Sequence, residues 1–185
     1  MRIISGLFKG AKLIDPKDLN TRPLKDLVKE SIFNYILHSK KFSIKFEKLV
    51  VLDAFSGTGS FGLECISRGS KDVTFIENYD PAIEVLKQNI NKFKLNKFCE
   101  VMNINFLNFK ILPNCQKKFN LVFLDPPYKL LEIGKVLEIA QQILDSSGLL
   151  VLHRHKKSDD CFSDSLDILD TRNYGLSKIQ FLKLR

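Results

Sequence analysis

Short apolar runs alternate along this chain with stretches of helical spacing. Val50-Val51-Leu52, Val73-Thr74-Phe75-Ile76 and Leu121-Val122-Phe123-Leu124 are continuous, bounded by polar residues and rich in branched or aromatic side chains. That pattern predicts strands buried on both faces. Between them the spacing predicts a helix to about Arg68, a helix over 81–93 opened by Pro81, and a helix over 131–144. Further strands are predicted at 99–104 and at 149–153, the latter after Gly148. Upstream, Leu27, Val28, Ile32, Phe33, Ile36 and Leu37 recur at helical spacing from Leu24 to His38, with Lys25, Lys29 and Glu30 on the remaining positions. Ile3-Ile4 and Ala11–Ile14, around Gly6 and Gly10, read as a hairpin, and Leu166–Leu169 pairs with Ile179–Leu184 around Tyr174-Gly175. Strands alternating with helices predict an α/β fold, with a mostly parallel sheet, helices on both faces and an antiparallel edge from the last hairpin.

Two of the predicted strands end in residues that carry chemistry. Val50–Ala54 runs into Phe55-Ser56-Gly57-Thr58-Gly59 and a helix start, a glycine-rich turn that lets a ligand approach the backbone at a helix N-terminus. Glu77 stands 20 residues after Gly57, at the end of the next strand. A doubly wound sheet places there the acid that binds ribose hydroxyls. Asp53 precedes the loop, where a carboxylate repels a pyrophosphate but attracts an ammonium. The set therefore fits S-adenosylmethionine better than a dinucleotide, with Gly57 and Gly59 against the methionine moiety and Phe55 and Thr58 in the same loop.

The strand 121–124 runs directly into Asp125-Pro126-Pro127-Tyr128. Two prolines fix the backbone and remove two N–H donors, so the carbonyls are expected to stay open to a ligand. The acid adds an acceptor and the ring a stacking face. Such a pocket suits an exocyclic amine on a flat base. Asn105-Phe106, after the strand at 99–104, is the expected position for the adenine edge of the cofactor.

Composition narrows the class without changing this picture. The 185 residues are 44% hydrophobic and 27% charged, ordinary for one globular domain. No run reaches the roughly 18–20 apolar residues of a membrane span, and the start lacks a signal-peptide pattern, so a cytoplasmic protein is expected. Cys65, Cys99, Cys115 and Cys161 have no metal-binding spacing and do not combine with His38, His153 or His155, so no metal is expected. The net charge of +8 is uneven: residues 1–48 hold 11 Lys/Arg against 5 Asp/Glu, and residues 49–185 hold 18 against 16. A basic segment beside a base-binding pocket predicts phosphate contacts, with Arg2, Lys9, Lys12, Arg22, Lys25 and Lys29 as candidates. The expected organisation is a basic N-terminal extension, 1–48, packed on a core of 49–185 as one structural domain.

Arg2-Ile3-Ile4-Ser5-Gly6 with Lys9-Gly10 and Lys12-Leu13, Thr21-Arg22-Pro23 followed by Val28-Lys29-Glu30 and Phe33-Asn34, the loop Asp53–Gly62, and Asp125–Tyr128 together carry a family likeness. The chain resembles, over residues 2 to about 152, the bacterial 16S rRNA (guanine(966)-N2)-methyltransferases, the number being that of the nucleotide. The resemblance implies a class I, Rossmann-like methyltransferase with a seven-stranded sheet and an N-terminal hairpin and helix extension. It implies S-adenosylmethionine as donor and a guanine of small-subunit rRNA, free or in an assembly intermediate, as acceptor, for a monomeric enzyme. Lys29 stands where the family usually has arginine, Leu24 where threonine is common, and His153-Arg154-His155 where acids are common.

On this reading Asp125 and the Pro126 carbonyl accept the two amine hydrogens of the target, and Tyr128 stacks on the base. The guanine must be unpaired or flipped to reach them. Two other classes fit the motifs less well: an amino methyltransferase acting on adenine, cytosine or a glutamine side chain, and a non-catalytic RNA-binding assembly factor on the same fold. The short chain leaves little room for a DNA-recognition domain, and the intact site residues count against a degenerate fold.

Overall fold

The computed structural model describes residues 1–16, 18, 24–40, 42, 45–111 and 117–185, with the side chains of 110 and 111 outside the description. Thr21-Arg22-Pro23 and Cys115 therefore lie outside the described residues. The strands are β1 (Val50–Ala54), β2 (Asp72–Glu77), β3 (Cys99–Asn103), β4 (Phe119–Leu124), β5 (Leu144–His155), β6 (Leu166–Tyr174) and β7 (Ser177–Leu184). They form one sheet in the order β3-β2-β1-β4-β5-β7-β6. The first five are parallel, and β7 pairs antiparallel with both β5 and β6. The helices are α1 (Asp26–His38), α2 (Ser60–Ser67), α3 (Asp80–Lys92) and α4 (Ile133–Ile143). None of the described helices is long and apolar enough to cross a membrane.

Strand alternation divides the core between the two faces. Val51, Leu121, Phe123 and Val151 pack with α1, α2 and α3, whereas Leu52, Val122, Leu124, Leu150 and Leu152 pack with α4. Stacked rings of Phe33, Phe61 and Phe123, with centroids 5.1 and 4.1 Å apart, tie α1 through α2 to the centre of the sheet. Gly62 permits this close packing: a Cβ there would stand 2.3 Å from the ring of Phe75.

Three local expectations are corrected. The N-terminal hairpin is reduced to an antiparallel bridge between Arg2 and Lys12, with Ile3 and Gly10 exchanging backbone bonds around it. β5 begins at Leu144 rather than after Gly148, because Leu144 already pairs with Phe119 before the register shifts and resumes at Leu149 opposite Leu121. Asp145 absorbs the irregularity by accepting bonds from the amide and hydroxyl of Ser147.

The third correction concerns α1, which is rotated relative to its apolar pattern. Leu27 is 64% exposed, while Lys29 is fully buried. The physical reason lies in α2. Glu64 is itself fully buried and accepts backbone bonds from Ile4 (2.7 Å) and Ser5 (2.9 Å), and from Arg68 Nε (2.8 Å). Lys29 Nζ lies 3.7 Å from the same carboxylate and donates to Arg2 O (2.7 Å) and Ser60 Oγ (3.0 Å). Buried charge must be paired, so Lys29 turns inward and leaves the candidate RNA face.

Candidate active site

Adjacent parallel strands deliver their last residues to one edge of the sheet. β1 and β2 pair through Ala54 and Ile76, and β1 and β4 through Ala54 and Leu124. Asp53, Glu77 and Asp125 therefore converge at the carboxyl ends of three neighbouring strands, the usual ligand position in an open α/β sheet. A cleft of about 220 Å³ opens there, lined by Asp53, Phe55, Gly57, Thr58, Glu77, Asp125, Pro126 and Pro127 among the residues expected. Met1, Leu24, Phe61, Asn78, Tyr79 and Phe123 complete much of the wall, and no motif marked them.

The loop between β1 and α2 is held in an unusual conformation. Phe55 has φ 60°, in the left-handed region that a bulky side chain rarely enters. Ser56 N–H donates to Ile76 O (3.0 Å) and Gly59 N–H to Ser56 O (2.8 Å), which closes the turn. Gly59 (φ 82°) cannot carry a side chain, since a Cβ would meet Leu86 Cδ1 at 2.3 Å. It is buried behind the loop as a packing residue and is not part of the cleft wall. Asn89 braces the same loop from α3, donating to Thr58 O (3.3 Å) and accepting from Ile14 N–H (2.8 Å).

The three acids are held differently. Glu77 accepts Gly57 N–H on Oε2 (2.8 Å), and Asn78 and Tyr79 N–H on Oε1 (2.9 and 3.0 Å), so its carboxylate is fixed against the glycine turn. Asp53 is 1% exposed and accepts Gly62 N–H at 2.9 Å. Burial pushes its carboxyl well above the ordinary range; the Gly62 bond opposes this, and the nearby Asp125 and Glu77 charges add to it. Asp125 continues the β4 ladder with a weak bond to Ala54 O (3.4 Å) and lies 2.9 Å from His153 Nδ1.

The raised Asp53 pKa fixes a sign for stability. The unfolded chain ionises first as pH rises, so the buried carboxylate costs stability from about pH 4 upward until the folded pKa is passed. Asp53→Asn keeps an acceptor for Gly62 and removes the charge. The variant is expected to melt above the parent at pH 8, with the gap shrinking toward about pH 4. Thermal melts across that range check it, and a gap that widens in acid would contradict it.

The prolines are used unequally. Pro126 is buried, whereas Pro127 is exposed and its carbonyl is taken by Leu130 N–H (2.9 Å) and Arg154 Nη1 (3.3 Å). The expectation of open carbonyls is thus corrected for Pro127, by donors from beyond the motif. Tyr128 is half-buried and meets the rings of His153 and His155 edge-on, at 6.1 and 5.2 Å between centroids.

Asn105 and Phe106 do not line the cleft. Asn105 Oδ1 accepts Leu107 N–H (2.9 Å) to start a short 3-10 turn, and Phe106 is 1% exposed, packed beside Phe55 (5.4 Å) and Phe109 (6.1 Å). Phe106 therefore supports Phe55 from below. Of the basic candidates, Arg2, Lys9, Lys12 and Lys25 are exposed, Lys29 is buried, and Arg22 lies outside the described residues.

The donor set fits S-adenosylmethionine chemically: a buried acid for an ammonium, a backbone-aligned carboxylate for a diol, and aromatic walls between them. Comparison with known proteins agrees with that chemistry. A model of the family described as "Conserved hypothetical protein 95" matches residues 1–183. The Haemophilus influenzae ribosomal RNA small subunit methyltransferase D is 38% identical over 132 residues, 69% of this chain and 64% of that protein. A Bacillus subtilis protein provisionally named as an rRNA methyltransferase is 33% identical over 190 residues, covering 100% of both. A Haemophilus influenzae crystal structure, provisionally named as a methylase, superposes with a TM-score of 0.79 at 28% identity over 99% of this chain and 97% of that one.

Proposed function

Since this chain belongs to the Conserved hypothetical protein 95 family, among relatives named as rRNA methyltransferases, we propose that it transfers a methyl group from S-adenosylmethionine to the N2 amine of one guanine in 16S rRNA. The chain has the class I methyltransferase fold of its structural neighbours. The observation that carries the reading is the convergence of Asp53, Glu77 and Asp125 on one cleft between the glycine turn and Asp125–Tyr128.

When bound, S-adenosylmethionine supplies an activated sulfonium methyl. Glu77, fixed by three backbone N–H groups, accepts from the ribose hydroxyls, and Asp53 receives the ammonium. Thr58 and Gly57 line the methionine end, and Phe55 supplies an apolar wall. Asp125 and the Pro126 carbonyl accept the amine hydrogens of an unpaired or flipped guanine, and Tyr128 offers its ring to the base. Positioning carries most of the rate, because the methyl is already activated and the amine needs only to be held and aimed. The enzyme acts as a cytoplasmic monomer on small-subunit rRNA or its assembly intermediate.

Transfer of labelled methyl into 16S rather than 23S rRNA tests the substrate class, and no transfer to either would refute it. Exposed Lys9, Lys12 and Lys25 are proposed to contact phosphates. Neutralising all three is expected to weaken rRNA binding and to flatten the slope of log K against log salt by up to roughly 0.7 per lost contact for single-stranded RNA. Cofactor affinity is expected to hold. An unchanged salt slope would assign these lysines to solvation alone.

A further inference from the structure

Leu124 of β4 lies opposite Leu152 of β5, so the residues that follow, Asp125 and His153, stand side by side at the sheet's carboxyl edge. His153 is 3% exposed, with Nδ1 2.9 Å from Asp125 Oδ1. The approach is short but lacks the alignment of a hydrogen bond, so it acts as an electrostatic contact. A lone pair on Nδ1 would repel the carboxylate at this distance, so Nδ1 carries its proton. Nε2 is buried and meets no hydrogen-bond partner among the described residues. An apolar side chain would fill the space without two ring nitrogens to satisfy.

The next residue holds the following backbone independently. Arg154, 5% exposed, donates to Pro127 O (3.3 Å) and Leu130 O (3.5 Å), and its Nε donates to Asp160 Oδ1 (3.1 Å). The main chain beyond Asp125 is therefore fixed by Arg154, but the carboxylate keeps its own torsion, which is intrinsically broad. The contact on Oδ1 comes from His153 alone of these two. We infer that His153 is a positioning residue for methyl transfer, fixing the rotation of the Asp125 carboxylate at the mouth of the cleft. This rests on the functional reading above.

The test compares the parent with His153→Leu, which fills the space without nitrogen, and His153→Asn, which places an amide N–H near the Nδ1 position. In single-turnover methylation of 16S rRNA, His153→Leu is expected to be slower by up to about 100-fold, with cofactor affinity unchanged. His153→Asn is expected to recover most of the rate. A folded His153→Leu enzyme at the parental rate, or a His153→Asn enzyme as slow as it, would overturn the inference. Crystal structures of both variants add a readout independent of activity. The Asp125 carboxylate is expected to leave its parental rotamer in His153→Leu and to keep it in His153→Asn; an unchanged rotamer in His153→Leu overturns the inference. A parent enzyme that moves no methyl to rRNA would instead count against the functional reading, and the structures would still decide the role of His153.

Discussion

Asp125→Ala is expected to slow methyl transfer by on the order of 10²–10³ while leaving cofactor affinity close to that of the parent. The carboxylate stands at the end of β4, where the strand ladder and the Arg154 contacts to Pro127 and Leu130 fix the main chain on both sides of it. Its proposed role is to accept a hydrogen from the target amine and so aim the nitrogen. An interaction of that kind matters most in the transition state, so its loss falls on kcat rather than on cofactor KM. Glu77 and the glycine turn, which serve the cofactor, keep their mutual bonds without Asp125. Single-turnover rates at saturating rRNA and cofactor separate the two effects. A folded Asp125→Ala enzyme that transfers methyl at the parental rate would remove Asp125 from the chemistry.

Glu64→Ala is expected to cost about 3–5 kcal/mol of stability, the range for breaking a buried ion pair from one side. Glu64 joins three parts of the chain: the backbone of Ile4 and Ser5, Lys29 of α1, and Arg68 at the end of α2. Its removal leaves two cations facing each other in the core and two buried N–H groups without their acceptor. Burial already holds the Lys29 pKa below its ordinary value, with Glu64 opposing that shift. Without Glu64 the cost of keeping Lys29 charged rises further. Urea denaturation reads the loss as a lower midpoint at constant slope. The double variant Lys29→Met/Glu64→Gln is expected to recover part of it, because one buried charge has gone and an acceptor remains. A loss under about 1 kcal/mol for Glu64→Ala would show that water replaces the carboxylate.

The central sheet was legible because its strands are short apolar runs, buried on both faces by helices. Parallel pairing then forces the ends of β1, β2 and β4 to one edge, which is why Asp53, Glu77 and Asp125 could be assigned to one site from spacing alone. Lys29 was not legible. Periodicity puts leucine inward and lysine outward, and Leu27 is the better apolar candidate; only a buried glutamate 35 positions away in sequence reverses the choice. The cue was Glu64 itself, an acid within the otherwise apolar helix Ser60–Ser67.

Other residues escaped for related reasons. Asn105-Phe106 follows the correct strand, but Asn105 caps a turn and Phe106 packs downward, so position along the sheet did not fix direction. The cleft walls at Met1 and Leu24 arise from packing of the N-terminal segment over the sheet edge, and no local pattern encodes that contact. His153-Arg154-His155 stood out as a departure from the resemblance, yet its contacts with Asp125, Pro127 and Tyr128 depend on the pairing of β4 with β5.

The most direct test of the central claim is mass mapping of methylated nucleotides in 16S rRNA after incubation with the enzyme and labelled S-adenosylmethionine. The account predicts one modified guanine carrying the label on its exocyclic N2 amine, in a segment where the base is unpaired or can be flipped. Label on adenine or cytosine, on a guanine ring nitrogen, or on protein alone would contradict it.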